Sequence, residues 1–113
     1  MLDPAVCRYV FALGISPRHK GFHYICNILS IMKEQEASSF RPGEIYPLLG
    51  ITDEARRRSA ERCMRYAVQY AWDTEGSGVC ELFRGNSGCP PQLGDLICAA
   101  AWELSDSSCK DKQ

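Results

Sequence analysis

The stretch "ARRRSAERCMRYAVQYAW", residues 55–72, decides how the chain is read, because it sets five arginines within ten positions beside a regular apolar pattern. At about 100° per residue from Ala60, the residues Cys63, Met64, Ala67 and Ala71 fall within about 60° of one direction, which is a helix with one buried face. Arg58, Arg62, Arg65 and Gln69 fall between about 140° and 200°, in a straight stripe on the opposite side bordered by Glu61 and Tyr66. One reading is a solvated face, with Glu61 and Arg65 as an ordinary i,i+4 ion pair worth about 0.2–0.5 kcal/mol. The other is a surface made for an anionic partner. Two features favour the second: the stripe holds no acid beyond Glu61, and Arg56, Arg57 and Arg58 crowd a first turn where each cation opposes the helix dipole at about 0.3–1 kcal/mol.

Outward from this helix the pattern stays helical. Strand alternation is nearly absent, while apolar residues recur at spacings of three and four. Asp3 and Pro4 read as an N-cap with proline at the first helical position, and Gly14 closes that helix. Ser16 and Pro17 repeat the start signal before a helix from about Arg18 to Glu36, whose apolar stripe is Phe22, Ile25, Leu29 and Met32. Glu44 to Leu49 reads as a short helix, with Pro47 expected in a first turn or at a break. Thr52 or Asp53 then caps the arginine helix, which runs to about Asp73 and is terminated by "TEGSG". Val79 to Arg84 reads as one or two turns, "GNSGCPPQ" as a loop, and Leu93 to Leu104 as a last helix. The expectation is an all-α, compact bundle of five to six helices containing a helix-turn-helix, one domain over residues 1–104, with a disordered tail at 105–113.

Composition limits the function classes. At 113 residues the chain has room for a single modest core. The net charge of −1 supplies no overall attraction to nucleic acid, so any such contact depends on local charge. No apolar run reaches bilayer length and "MLDPAVCRYVFALG" lacks the basic start of a secretory signal, so a soluble, cytoplasmic protein without a membrane partner is expected. The seven cysteines are odd in number and none are spaced C-x-x-C, which argues against a disulfide framework or a zinc site. Most read as small buried hydrophobes.

Catalytic signals are weak. His19 and His23 share a helix face but lack a third ligand or an H-E-x-x-H pattern, so no metal is expected. Cys63 has arginine neighbours that favour a thiolate, yet it sits on the predicted core face with no histidine nearby. The glycine pairs Gly76/Gly78 and Gly85/Gly88 are too sparse for a phosphate loop. The chain is therefore not expected to be an enzyme, nor to take a cofactor or a small-molecule substrate.

A helix that projects arginines from its first turns suits the major groove, since a guanidinium fork matches guanine O6/N7 and also grips phosphate. The segment "EIYPLLG" is then the supporting helix of a helix-turn-helix. At these residues the chain resembles a known family, the C-terminal DNA-binding effector domain of the sporulation master response regulator, stage-zero sporulation protein A. The resemblance runs from about Val10 to Leu104. Gly14, Lys20, Gly21, Phe22 and Tyr24 in "LGISPRHKGFHYI", Ile45 to Pro47 in "IYP", and Glu61, Arg62, Arg65, Ala67, Ala71 and Trp72 in "AERCMRYAVQYAW" carry it. The interval from Pro47 to Arg62 agrees as well.

The resemblance implies a six-helix domain that binds duplex DNA at promoters, as tandem copies or a homodimer, and regulates transcription. By position, Glu61, Arg62 and Arg65 would face the major groove, with Arg56, Arg57, Arg58 and Ser59 over bases and phosphates. Tyr66 stands where the family has a histidine, and "ITDEARRR" replaces its small polar turn. Lys20, with Arg18, is either a solvated loop charge or a clamp on backbone phosphate. The family's receiver domain is missing, which fits either a fragment or a free-standing effector. The alternative expectation is a diverged module of the same fold that has lost DNA binding and pairs with a regulator, using a surface that includes Tyr66, Tyr70 and Trp102.

Overall fold

In the computed structural model, residues 3–37, 40–74, 77–83 and 90–111 are described, with side chains of the last segment through 104. They form six helices and no strand: α1 (Pro4–Ala12), α2 (Lys20–Glu34), α3 (Pro42–Leu48), α4 (Glu54–Asp73), α5 (Gly78–Leu82) and α6 (Leu93–Asp111). The radius of gyration is 13.5 Å, matching the roughly 13 Å of a single compact domain of this length.

Helix α2 lies at the centre and packs against α1, α4 and α6, while α4 also meets α5 and α6. The expected stripe Phe22, Ile25, Leu29 and Met32 is buried, and Cys26, Ile28 and Ser30 are buried with it. A helix covered on several sides needs a broader apolar surface than one face supplies. Ser30 is tolerated there because its hydroxyl oxygen accepts the Asp3 backbone N–H at 3.1 Å. Asp3 also caps α1 through the Ala5 N–H at 2.9 Å and pairs with Lys33 of α2 at 3.0 Å. One residue thus starts α1 and fastens it to α2.

The α2–α4 crossing is set by Gly21. A Cβ there would lie 2.8 Å from Cys63 C and Met64 Cα, and nearer still to the Cys63 carbonyl oxygen. Only a residue without a side chain lets the first turn of α2 rest on the backbone of α4. On the facing side α4 buries Ala60, Met64, Ala67, Val68 and Ala71.

Several boundaries differ from the sequence reading. The Ser16–Pro17 pair starts a turn, with Ser16 Oγ accepting the Arg18 N–H at 3.2 Å, and α2 itself begins after His19. Pro47 is the sixth of the seven residues of α3, not in its first turn. Its missing N–H leaves one helical acceptor, the Gly43 carbonyl, and Gly43 is exposed to water. In "TEGSG", Ser77 and Gly78 begin α5 instead of only ending α4, because Ser77 Oγ accepts the Cys80 N–H at 3.3 Å. Residues 75, 76 and 84–89, and with them most of the expected loop "GNSGCPPQ", lie outside the described residues. Helix α6 continues past Leu104 to Asp111, over a segment expected as a tail, since no glycine or proline there interrupts it. Of the five cysteines whose side chains are described, all free of disulfides, only Cys26 is buried; Cys7, Cys63, Cys80 and Cys98 are half-buried. Cys63 lies beside Gly21 at the α2–α4 crossing, and the Cys80 thiol donates to the Trp72 carbonyl at 3.3 Å.

Gly21→Ala is expected to lower unfolding stability by about 1–3 kcal/mol, as overpacking against unyielding backbone does, measured by urea titration. The Lys33 ammonium and the Ala5 N–H hold the Asp3 carboxyl below its ordinary value of 3.8. A depressed folded value stabilises above the unfolded pKa and is lost as pH falls through the folded one. Asp3→Ala should therefore cost about 1 kcal/mol near neutral pH, the usual worth of an N-cap, with the deficit shrinking below about pH 4 in acid titrations of both proteins.

Candidate nucleic-acid interface

Helix α4 is uninterrupted over 20 residues and opens on Asp53, whose carboxylate accepts the Arg56 N–H at 2.8 Å. Asp53 and Glu54 supply negative charge to a first turn that the following arginines would otherwise disfavour. Arg56, Arg57, Arg58, Ser59, Arg62, Arg65 and Tyr66 are all exposed. Arg58 to Arg65 covers about 10 Å of helix axis.

The arginines fall into two sets. Arg56 pairs with Asp53 at 3.5 Å, Arg57 with Glu61 at 3.6 Å and Arg65 with Glu61 at 3.9 Å. No ion pair among the described residues engages Arg58 or Arg62, one turn apart on the outer face. Glu61 does not share their exposure: its side chain is 18% accessible and turned toward α3. There Tyr46 donates its hydroxyl to Glu61 Oε2 at 3.2 Å, and the Arg57 guanidinium lies 5.4 Å from the Tyr46 ring centroid. Burial first, and the Glu61 charge second, push the Tyr46 hydroxyl above its ordinary pKa, so it stays a donor.

Helix α3 buries Ile45 and Tyr46, reaches α4 through Tyr46, and is joined to it by the short connection 49–53. Gly50 takes φ +79 there, a left-handed conformation glycine adopts freely. The Ile51 N–H then donates to the Tyr46 carbonyl at 3.0 Å, and the Ile51 side chain is drawn into the core.

On the other flank stands the start of α2. The His19 ring lies 5.2 Å from the ring of Tyr66 and 5.1 Å from that of Tyr70. His19 makes no side-chain cap bond, and Arg18 and Lys20 on either side of it are exposed without an ion pair among the described residues. The Gly21 crossing therefore puts two further cations beside the middle of α4. His23 is directed elsewhere, with Nε2 3.1 Å from the Pro17 carbonyl oxygen. Among the described residues no group of three His, Cys, Asp or Glu is arranged to hold a metal ion, and no helix is long and apolar enough to cross a membrane.

The sequence reading missed Tyr46 as part of this surface; it took His19, beside Lys20, as a surface or phosphate contact, without its partners Tyr66 and Tyr70. Tyr46 acts across helices, on a residue 15 positions away, so no spacing within one helix signals it. Comparison with protein families, with curated proteins and with solved structures finds no match for this chain.

Tyr46→Phe keeps the buried ring and removes the hydroxyl donor to a carboxylate. It is expected to cost about 1.5–3 kcal/mol, the range for hydrogen bonds to charged groups, read from denaturant unfolding with unchanged helical circular dichroism.

Proposed function

We propose that this chain is a DNA-binding transcriptional regulator domain in which α3, the 49–53 turn and α4 act as a helix-turn-helix, with α4 entering the major groove. The observation that carries the reading is the pair Arg58 and Arg62, exposed one turn apart on an unbroken helix with no acid partner among the described residues. A folding role gives no reason to leave two adjacent guanidinium groups uncompensated. A duplex gives one, since guanine edges and phosphates both accept the guanidinium fork. Arg18 and Lys20 fit backbone phosphates beside the groove, where contacts position the protein without reading sequence. The residue resemblance described above points the same way. With a net charge of −1 the affinity rests on this one face.

A second reading is favoured by exposed aromatic surface: Tyr66, Tyr70 and Trp102 are 62%, 51% and 68% accessible. Such side chains are enriched at protein interfaces. A module that kept the fold and pairs with a regulator through them would form a stable dimer in light scattering that Arg62→Glu leaves intact, and would not bind DNA.

For the DNA reading, fluorescence anisotropy with a mixed-sequence duplex at about 50 and 200 mM salt is the decisive measurement. A salt-sensitive complex is expected. Replacing both Arg58 and Arg62 with alanine should flatten the log–log slope by about 1.8, or 0.9 per phosphate contact. Absence of any salt-sensitive complex at micromolar protein would reject the proposal.

A further inference from the structure

We infer that Glu61 is a fixed counter-charge and not a reader of bases: it ties down Arg57 and Arg65 and so limits how many phosphates α4 neutralises. The inference rests on the proposed DNA contact and names a residue that restrains it.

Both carboxylate oxygens of Glu61 are already engaged. Oε2 accepts the Tyr46 hydroxyl at 3.2 Å and faces Arg57 at 3.6 Å, while Oε1 faces Arg65 at 3.9 Å. A carboxylate that reads sequence must offer an oxygen to a cytosine amino group at the groove floor. Glu61, 18% accessible and directed at α3, offers neither, whereas its two arginine partners are 45% and 67% accessible. The acid is the anchored member of the cluster and the arginines are the movable ones. Pairs of this exposed kind are weak, so phosphate can compete for the guanidinium groups, but it does so against a carboxylate that cannot leave. Arg58 and Arg62 meet phosphate with no such competition. The restraint is blind to sequence, because it acts on backbone contacts alone. It lowers the affinity for every sequence alike and leaves the discrimination between them to base contacts.

The test is Glu61→Gln in the full chain, compared with the unaltered protein on two duplexes of unrelated sequence across a salt series. The glutamine carbonyl still accepts the Tyr46 hydroxyl, and a thermal melt monitors folding. The expected result is tighter binding to both duplexes by a similar factor, several-fold at moderate salt. The log–log slope should steepen by about 0.9–1.8, for one or two phosphates gained. Weaker binding, or a changed preference between the duplexes at constant slope, overturns the inference. An unaltered protein with no salt-sensitive complex rejects the DNA reading itself, which separates the two failures. If the glutamine variant does not fold, Arg57→Gln and Arg58→Gln in the otherwise unaltered chain decide. The free Arg58 should lose about 0.9 of slope and the tied Arg57 less than half of that. Equal losses overturn the inference.

Discussion

The backbone-to-backbone contact of Gly21 with Cys63 and Met64 governs where everything else stands. Helix interfaces normally keep axes 8–10 Å apart through intervening side chains. Here one helix begins directly on another, and the position of that beginning decides what flanks α4. Because α2 starts at this point, the His19 ring meets Tyr66 and Tyr70 of α4. The same placement leaves the rest of α2 free to bury seven more residues against α1, α4 and α6. Core and surface are consequences of one close approach.

The charges on α4 follow a division of labour that its sequence pattern conceals. Projected on a wheel, Arg58, Arg62 and Arg65 form one row. In three dimensions the neighbours separate them: α3 brings Tyr46 to Glu61, and Glu61 then holds Arg57 and Arg65. Arg58 and Arg62 stay unpaired among the described residues because nothing packs on that outer line. In a chain whose net charge is −1, five of the thirteen Lys and Arg residues stand on this one helix.

Much of the helical architecture was legible in the sequence. Asp3 and Asp53 as caps, Gly14 as the end of α1 and the apolar periods of α2 and α4 are local signals, and the structure realises each of them. What local pattern did not reveal came from contacts between elements. Ser30 is buried only because Asp3 arrives from another helix to donate to it. Glu61 looks like a member of the exposed stripe until Tyr46 is placed opposite it. Cys63 looks like core on the helical wheel but is only half-buried. Ser16 and Pro17 carry a helix-start pattern that serves a turn, since the chain must turn before α2 reaches α4.

Helix α5 depends on a contact with the end of α1, far from it in sequence. The Val79 N–H donates to the Leu13 carbonyl at 2.9 Å, and Gly78 sits against the Ala12–Leu13 backbone. A segment of five residues cannot hold helical form alone, so α5 becomes helical only when the end of α1 is there to receive it. That meeting closes a loop of more than sixty residues, whose ordering entropy must first be offset by contacts within it. The helical form of α5 is therefore conditional on the end of α1, a part of the chain that only the packing of the intervening helices brings to it.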